Sequence, residues 1–170
     1  MQSPFASAIA AVLSNLGAIL IVVALLVAAA RVARERARRV PVNGADVYWQ
    51  ELLFYAVGVS FVYVGLIHAF LQELASKDIG WAPSPFEYEL GFAEVGLGIV
   101  ALLSRWRGFD MRLAVTIVFA VFSFAAAAQH IYYIVCCGNM HPGNAGIILW
   151  VDDIALPLVL VFLAWRASRG

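Results

Sequence analysis

The sequence contains few charged residues and almost no lysine. Only 13 % of its 170 residues are Asp, Glu, Lys or Arg, and Lys77 is the single lysine. Hydrophobic residues make up 64 % of the chain, whereas soluble domains contain about 45–50 % apolar residues. This composition excludes an ordinary soluble domain and indicates an integral membrane protein. Nucleic acid is not expected as a partner, because the arginines form short clusters beside apolar runs.

Cysteine is also scarce, since Cys136 and Cys137 are the only two. No C-x-x-C-H motif is present, which excludes covalent attachment of a c-type haem. The Glu-x-x-His signature of ferritin-like di-metal bundles is absent as well. No positive segment precedes the first apolar run and an arginine cluster follows it, which is the reverse of a secretory signal peptide. The first run is therefore predicted to be a retained membrane span.

Three arginine clusters fix the predicted topology. They lie at 31–39, 105–112 and 166–169. Each cluster stands between or after apolar runs that reach the roughly 20 residues needed to cross a bilayer. If all three face the cytoplasm, the N-terminus lies outside and the C-terminus inside. The sequence thus predicts an all-α bundle in one domain, in the inner membrane, with five spans at about 5–30, 48–74, 86–103, 113–136 and 146–165.

Ionisable residues inside these spans fall at one predicted depth. His68 and His130 each lie six residues before the outer end of their span, and Asp152 lies six residues after the start of its own. At about 1.5 Å per residue, all three are roughly 9 Å below the outer surface. Buried charges usually pair, line water or bind an ion. We therefore predict a site near the outer leaflet, made by His68, Glu89, Glu94, His130, Asp152 and Asp153.

Small and polar residues recur on the faces that carry these side chains. Gly58, Gly65 and Gln72 repeat every seven residues in the second span, which is typical of a helix-packing face. Gly91, Glu94 and Gly98 form a similar face in the third span, and Glu89 points about 140° away from Glu94. Further polar residues predicted to support the site are Gln72, Gln129 and Tyr133.

Several functions fit this set of side chains. Imidazole and carboxylate ligands suit iron, manganese or zinc, so a metal centre, with two metal ions as one form of it, is the leading interpretation. A b-type haem between His68 and His130 is a less favoured alternative. A proton or cation pathway is a third. A structural or accessory subunit held together by a buried polar network is a fourth. The sequence names no reaction. It predicts the lipid bilayer as a partner and leaves open a homo-oligomer or a partner in a membrane complex.

The second outer loop carries a separate set of soft ligands, Cys136, Cys137, Met140 and His141. Cys, Met and His suit copper. Two adjacent cysteines outside the membrane can instead form a disulfide or remain thiols. All three interpretations remain open from the sequence.

From Gly65 onward the chain resembles a family of small bacterial and archaeal membrane proteins of unassigned function, distantly similar to DoxX-like four-helix membrane proteins. The resemblance gives weight to His68, Glu89, His130 and one residue of the pair Asp152 and Asp153, and it implies no activity. The matching strings are Gly65 to His68, Ile79 to Trp81, Ser84 to Phe86, Glu89 to Gly91, His130, Gly138 with Asn139, Pro142 to Gly146, Asp152 with Asp153, and Pro157.

Overall fold

The computed structural model describes residues 15–169, and these contain helices and no strand. Residues 5–14 of the first predicted span lie outside the described part. The prediction of an all-helical fold is confirmed for these residues. Six helices are named here: α1 Leu16–Ala37, α2 Gly44–Phe70, α3 Gln72–Ile79, α4 Phe86–Ser104, α5 Phe109–Cys137 and α6 Pro142–Ala167.

Two helices end at residues other than the predicted ends of their spans. The helix of the first span continues past Ala30 to Ala37, because an arginine-bearing helix can extend beyond the apolar layer. The second span is predicted to continue to Leu74, but the helix breaks at Leu71, where φ is −131° and ψ is 42°. The following residues form α3, so more than half of α3 lies in the predicted outer loop 75–85. Gln72 therefore begins a different helix from the one that carries His68.

Four of the helices, α1, α2, α5 and α6, are long and apolar enough to cross a membrane. The third predicted span, residues 86–103, corresponds to α4, which has 19 residues and includes Glu87, Glu89 and Glu94. Three of its residues are acidic, and it is not among the four described helices that are long and apolar enough to cross a membrane. Its position beside α2 within the bundle nevertheless shields one of its faces.

Glycines bring α2 and α4 into backbone contact. A Cβ atom on Gly65 would lie 2.5 Å from the carbonyl oxygen of Gly91, and one on Gly98 would lie 2.7 Å from the amide nitrogen of Val62. At these distances any side chain larger than the hydrogen atom of glycine would clash with the neighbouring helix. The predicted small-residue faces of the second and third spans therefore contact each other, as expected for closely packed membrane helices.

Two helices contain a π-helical segment of eight residues each, Leu52–Val59 in α2 and Ile148–Ala155 in α6. The second segment holds Asp152 and Asp153 and ends two residues before Pro157. Because proline has no amide hydrogen, the carbonyl of Asp153 has no donor four residues later, and the regular α-helical pattern is interrupted here. No proline follows the first segment, and the sequence offers no comparable reason for it.

One end of the bundle, called the arginine-rich end here, is held by ion pairs between helices. Glu51 is fully buried and receives hydrogen bonds from Arg31 of α1 and Arg105 after α4. Arg112 of α5 donates to Asp46 of α2 at 2.7 Å. Three of the arginines predicted to serve orientation thus also bind four helical segments together.

Trp49 at this end also joins two helices. It is fully buried and donates a hydrogen bond to Thr116 Oγ1 at 2.9 Å. Beyond it lies an apolar layer that separates the arginine-rich end from the opposite end. This layer includes Leu52, Leu53, Val57, Phe119, Leu156 and Leu160.

Candidate functional site

His68 and Glu94 meet at the end of the bundle opposite the arginines. Each lies three residues after a contact glycine, Gly65 in α2 and Gly91 in α4. Residues three apart share a helix face, so the close backbone contact brings the two side chains together. His68 Nδ1 lies 2.7 Å from Glu94 Oε2, and the side chains are 20 % and 5 % exposed. Since a carboxylate only accepts, the imidazole donates its Nδ1 hydrogen to it.

Asn144 organises a second histidine. It is fully buried, and its Nδ2 donates to the backbone carbonyls of Asn139 at 2.9 Å and His130 at 3.4 Å. Its Oδ1 accepts from Trp81 Nε1 at 3.1 Å and lies 2.8 Å from His130 Nδ1. The Trp81 ring also stacks on His130, with 5.2 Å between ring centroids. Two loops and α5 are thereby joined at one carboxamide.

These contacts determine which nitrogen of His130 carries hydrogen. The indole N–H of Trp81 can only donate and the two carbonyls can only accept, so the oxygen of Asn144 must face Trp81 and His130. His130 Nδ1 is therefore the donor to Asn144. In the neutral imidazole, Nε2 then presents a lone pair.

The lone pair of His130 Nε2 faces a carboxylate. Nε2 lies 3.8 Å from Asp153 Oδ2, and the two side chains are 10 % and 12 % exposed. Asp153 Oδ2 is buried and has no hydrogen-bond partner among residues 15–169. A neutral imidazole nitrogen and an ionised carboxylate are both acceptors, so a proton or another cation between them would relieve their repulsion.

Two further carboxylates surround Asp153. Glu94 and Asp152 are both close enough to act on it electrostatically. This links the His68–Glu94 pair to the His130–Asp153 pair. The Asp152 side chain extends toward α1, where a Cβ atom on Gly17 would lie 2.9 Å from its Oδ2.

The remaining predicted site residues lie elsewhere. Glu89 is exposed and has no ion pair or hydrogen bond to a described residue, in agreement with its angle from Glu94 on the helix. Gln72 is in α3, beyond the helix break, and Gln129 is exposed on α5. Tyr133 packs on Trp81 with 4.7 Å between ring centroids. Of the three supporting residues, Tyr133 is thus the one in contact with the cluster.

The loop after α5 does not gather the soft ligands predicted for copper. Cys136 and Cys137 are joined by a disulfide, so neither offers a thiolate. Met140 is 70 % exposed. The His141 ring packs against Gly80, where φ is +70° and a Cβ atom would overlap the ring.

Within residues 15–169, no three His, Cys, Asp or Glu side chains are grouped so that they could hold a metal ion. The six-residue metal centre, with iron, manganese or zinc, therefore stays a prediction. A haem iron between the two histidines would require His130 Nε2 to point at the iron. In the structure this nitrogen faces Asp153 instead.

Sequence reasoning missed three polar roles. Asn144 and Trp81 are not among the predicted site residues, yet both contact His130. Glu87 is not among them either, and it accepts from Ser84 N at 3.1 Å and from Ser76 Oγ. The spacing Ser84-x-x-Glu87 is that of a capping box, which was a usable signal.

Comparison with known proteins extends the similarity beyond the segment that starts at Gly65. No curated protein and no solved structure gave a significant match. A family match, however, runs from residue 14, just before α1, to residue 170. The chain thus belongs to the family described as "Family of unknown function (DUF6790)".

Proposed function

We propose that the protein exchanges protons through the His130–Asp153 pair. The supporting observation is that two hydrogen-bond acceptors, His130 Nε2 and Asp153 Oδ2, lie 3.8 Å apart. Asp153 Oδ2 has no hydrogen-bond partner among residues 15–169. A proton needs only two such groups, whereas a metal ion usually needs three or more protein ligands. The proton can reside on the carboxyl group or on the imidazole, and its removal leaves a buried charge beside the other group.

The His68–Glu94 pair extends this site to four titratable groups. Glu94 accepts from His68 and also acts electrostatically on Asp153. A proton taken up at one pair therefore changes the charge felt by the other pair. Coupled groups of this kind titrate in steps that belong to the whole set rather than to single residues.

The apolar layer argues for exchange with one face of the membrane. Leu52, Phe119 and Leu156 belong to the buried core between this site and Glu51. Glu51 is already neutralised by Arg31 and Arg105. Glu51 thus connects helices through ion pairs and offers no free carboxylate to a proton path.

We further propose that the arginine-rich end is cytoplasmic, following the positive-inside bias. With α4 counted as a fifth span, the N-terminus is outside and the proton site lies near the outer leaflet of the inner membrane. The distant relation to DoxX-like proteins belongs to the same proposal, supported by the helical bundle.

Infrared difference spectroscopy across a pH step tests proton exchange. We expect a carboxyl C=O band that is absent in Asp153→Asn. The matched control is Asp110→Asn, which alters an exposed aspartate in the first turn of α5 and should leave the band unchanged. A wild-type spectrum without any Asp153-dependent band would refute proton exchange and leave a hydrogen-bond network that holds the helices in register.

A metal ion at the same pair is a second candidate. Both histidines use Nδ1 as a donor and leave Nε2 available, which is the usual arrangement of metal-binding histidines. Elemental analysis and absorption spectroscopy of the purified protein would distinguish zinc, manganese, iron and haem. His130→Ala should remove stoichiometric metal, while His141→Ala in the loop should retain it. Metal content unaffected by His130→Ala would exclude this site.

A further inference from the structure

The arginines at the arginine-rich end fall into two groups. Arg31, Arg105 and Arg112 pair with buried or half-buried acids, Glu51 and Asp46. Arg166 and Arg169 have no acidic partner among residues 15–169; the Trp165 ring lies 6.0 Å and 4.3 Å from their guanidinium carbons. Their positive charge is therefore available to a ligand.

These two arginines line a cleft. It has a volume of about 590 Å³ and lies between residues 41–45, which lead into α2, and the end of α6. Pro41, Val42 and Ala45 supply apolar walls, and no acidic side chain from residues 15–169 lines the cleft. The cleft thus combines two positive charges with an apolar surface at one end of the bundle.

Asn43 fixes the shape of the cleft. Its Nδ2 donates to the carbonyl of Ala167 at 3.3 Å, and its Oδ1 accepts from the amide of Asp46 at 3.3 Å. One side chain therefore connects the start of α2 to the end of α6. The nitrogen and the oxygen of the Asn43 side chain both bond to backbone groups of the protein itself. The guanidinium groups of Arg166 and Arg169 are therefore the side-chain donors that a ligand can contact.

We propose that this cleft binds the phosphate group of an anionic phospholipid. Guanidinium groups bind phosphate through paired N–H donors, and the apolar wall suits the glycerol and upper acyl region. Trp165 beside the arginines is suited to the headgroup level of a bilayer. A soluble organic phosphate shares the same chemistry, and the experiment separates the two sources. This inference does not depend on the proton site.

Native mass spectrometry in detergent tests the proposal with phosphatidylglycerol as the probe and phosphatidylcholine as the neutral comparison. We expect one preferentially bound phosphatidylglycerol. Its affinity should fall about 25-fold in Arg166→Gln/Arg169→Gln, since one arginine near an anionic lipid contributes about fivefold. Arg36→Gln/Arg107→Gln removes two exposed arginines at the same end that have no acidic partner among residues 15–169, and it should change the affinity less than about twofold.

The outcomes are distinct. Equal loss in both double variants, or no loss in Arg166→Gln/Arg169→Gln, would overturn the cleft as the binding site. If glycerol phosphate displaces the lipid at equal concentration, the ligand is a soluble phosphate and the lipid assignment fails. Unchanged thermal unfolding of both variants, followed by tryptophan fluorescence, ensures that the comparison concerns folded protein.

Discussion

Asn144 shows how much one buried side chain can determine. Its single carboxamide serves four groups, on Trp81, Asn139 and twice on His130. It thereby sets the His130 tautomer and aims Nε2 at Asp153. The contact could not be predicted from helix periodicity, because it depends on how the loop after α5 folds back over the helix.

Replacing Asn144 should therefore destabilise the protein. Asn144→Leu leaves two N–H donors and two carbonyls without their partner. Each buried unsatisfied group costs about 1–3 kcal/mol, so we expect a loss of at least about 3 kcal/mol in the free energy of unfolding. Denaturant titration in micelles measures it. Gln129→Leu, at an exposed position of α5, is the control, and similar stabilities for the two variants would contradict the role given to Asn144.

Glu51 gives a second prediction for single residues. Glu51→Gln removes the charge between Arg31 and Arg105 and should cost about 3 kcal/mol, the lower range for breaking a buried ion pair. Glu35→Gln weakens a more exposed pair with Arg34 at 3.8 Å and should cost less than about 0.5 kcal/mol. The same unfolding measurement applies, and a loss below about 1 kcal/mol for Glu51→Gln would show that the arginines are held by other contacts.

The sequence places these ionisable residues at about one depth, and the structure brings four of them together in two pairs. His68 meets Glu94 and His130 faces Asp153. Helical geometry already separates Glu89 from Glu94 but cannot decide which one faces inward. The role of these side chains as metal ligands stays a prediction.

At the scale of elements, α2 and α4 pack closely because the glycines at their contact have no side chains. Gly91→Ala would place a Cβ atom 2.5 Å from the amide of Ala69. We expect a loss of about 1–3 kcal/mol, typical of overpacking. Gly96 lies on the same helix, and a Cβ atom there would have no neighbour within 4 Å, so Gly96→Ala should be neutral or stabilising. Equal losses of unfolding free energy in the two variants would show that helix propensity rather than close packing governs these positions.

The helices themselves were largely predictable, because long apolar runs bounded by charge clusters leave few alternatives. The break at Leu71 and the two π-helical segments were not predictable. None of the three changes the hydropathy pattern along the chain. Pro157 is recognisable from the sequence as a disturbance near Asp153, but the sequence does not show that a π-helical segment precedes it.

For the whole molecule, the proposed cytoplasmic position of the arginine-rich end can be tested with thiols. After mild reduction, Cys136 and Cys137 should react with a membrane-impermeant maleimide in intact cells. In a Ser168→Cys variant whose two native cysteines are replaced by Ser, the new thiol should react only after permeabilisation. The reverse pattern would invert the proposed orientation.

The apolar layer also bears on how the proposed proton site responds to membrane voltage. Leu53, Val57 and Leu160 fill the layer without a charge. A proton that reaches His130 and Asp153 from the end opposite the arginines does not cross this layer, so it moves through only part of the membrane potential. The proposed proton uptake should consequently depend more on the acidity of the solution at that end than on the polarisation of the cell.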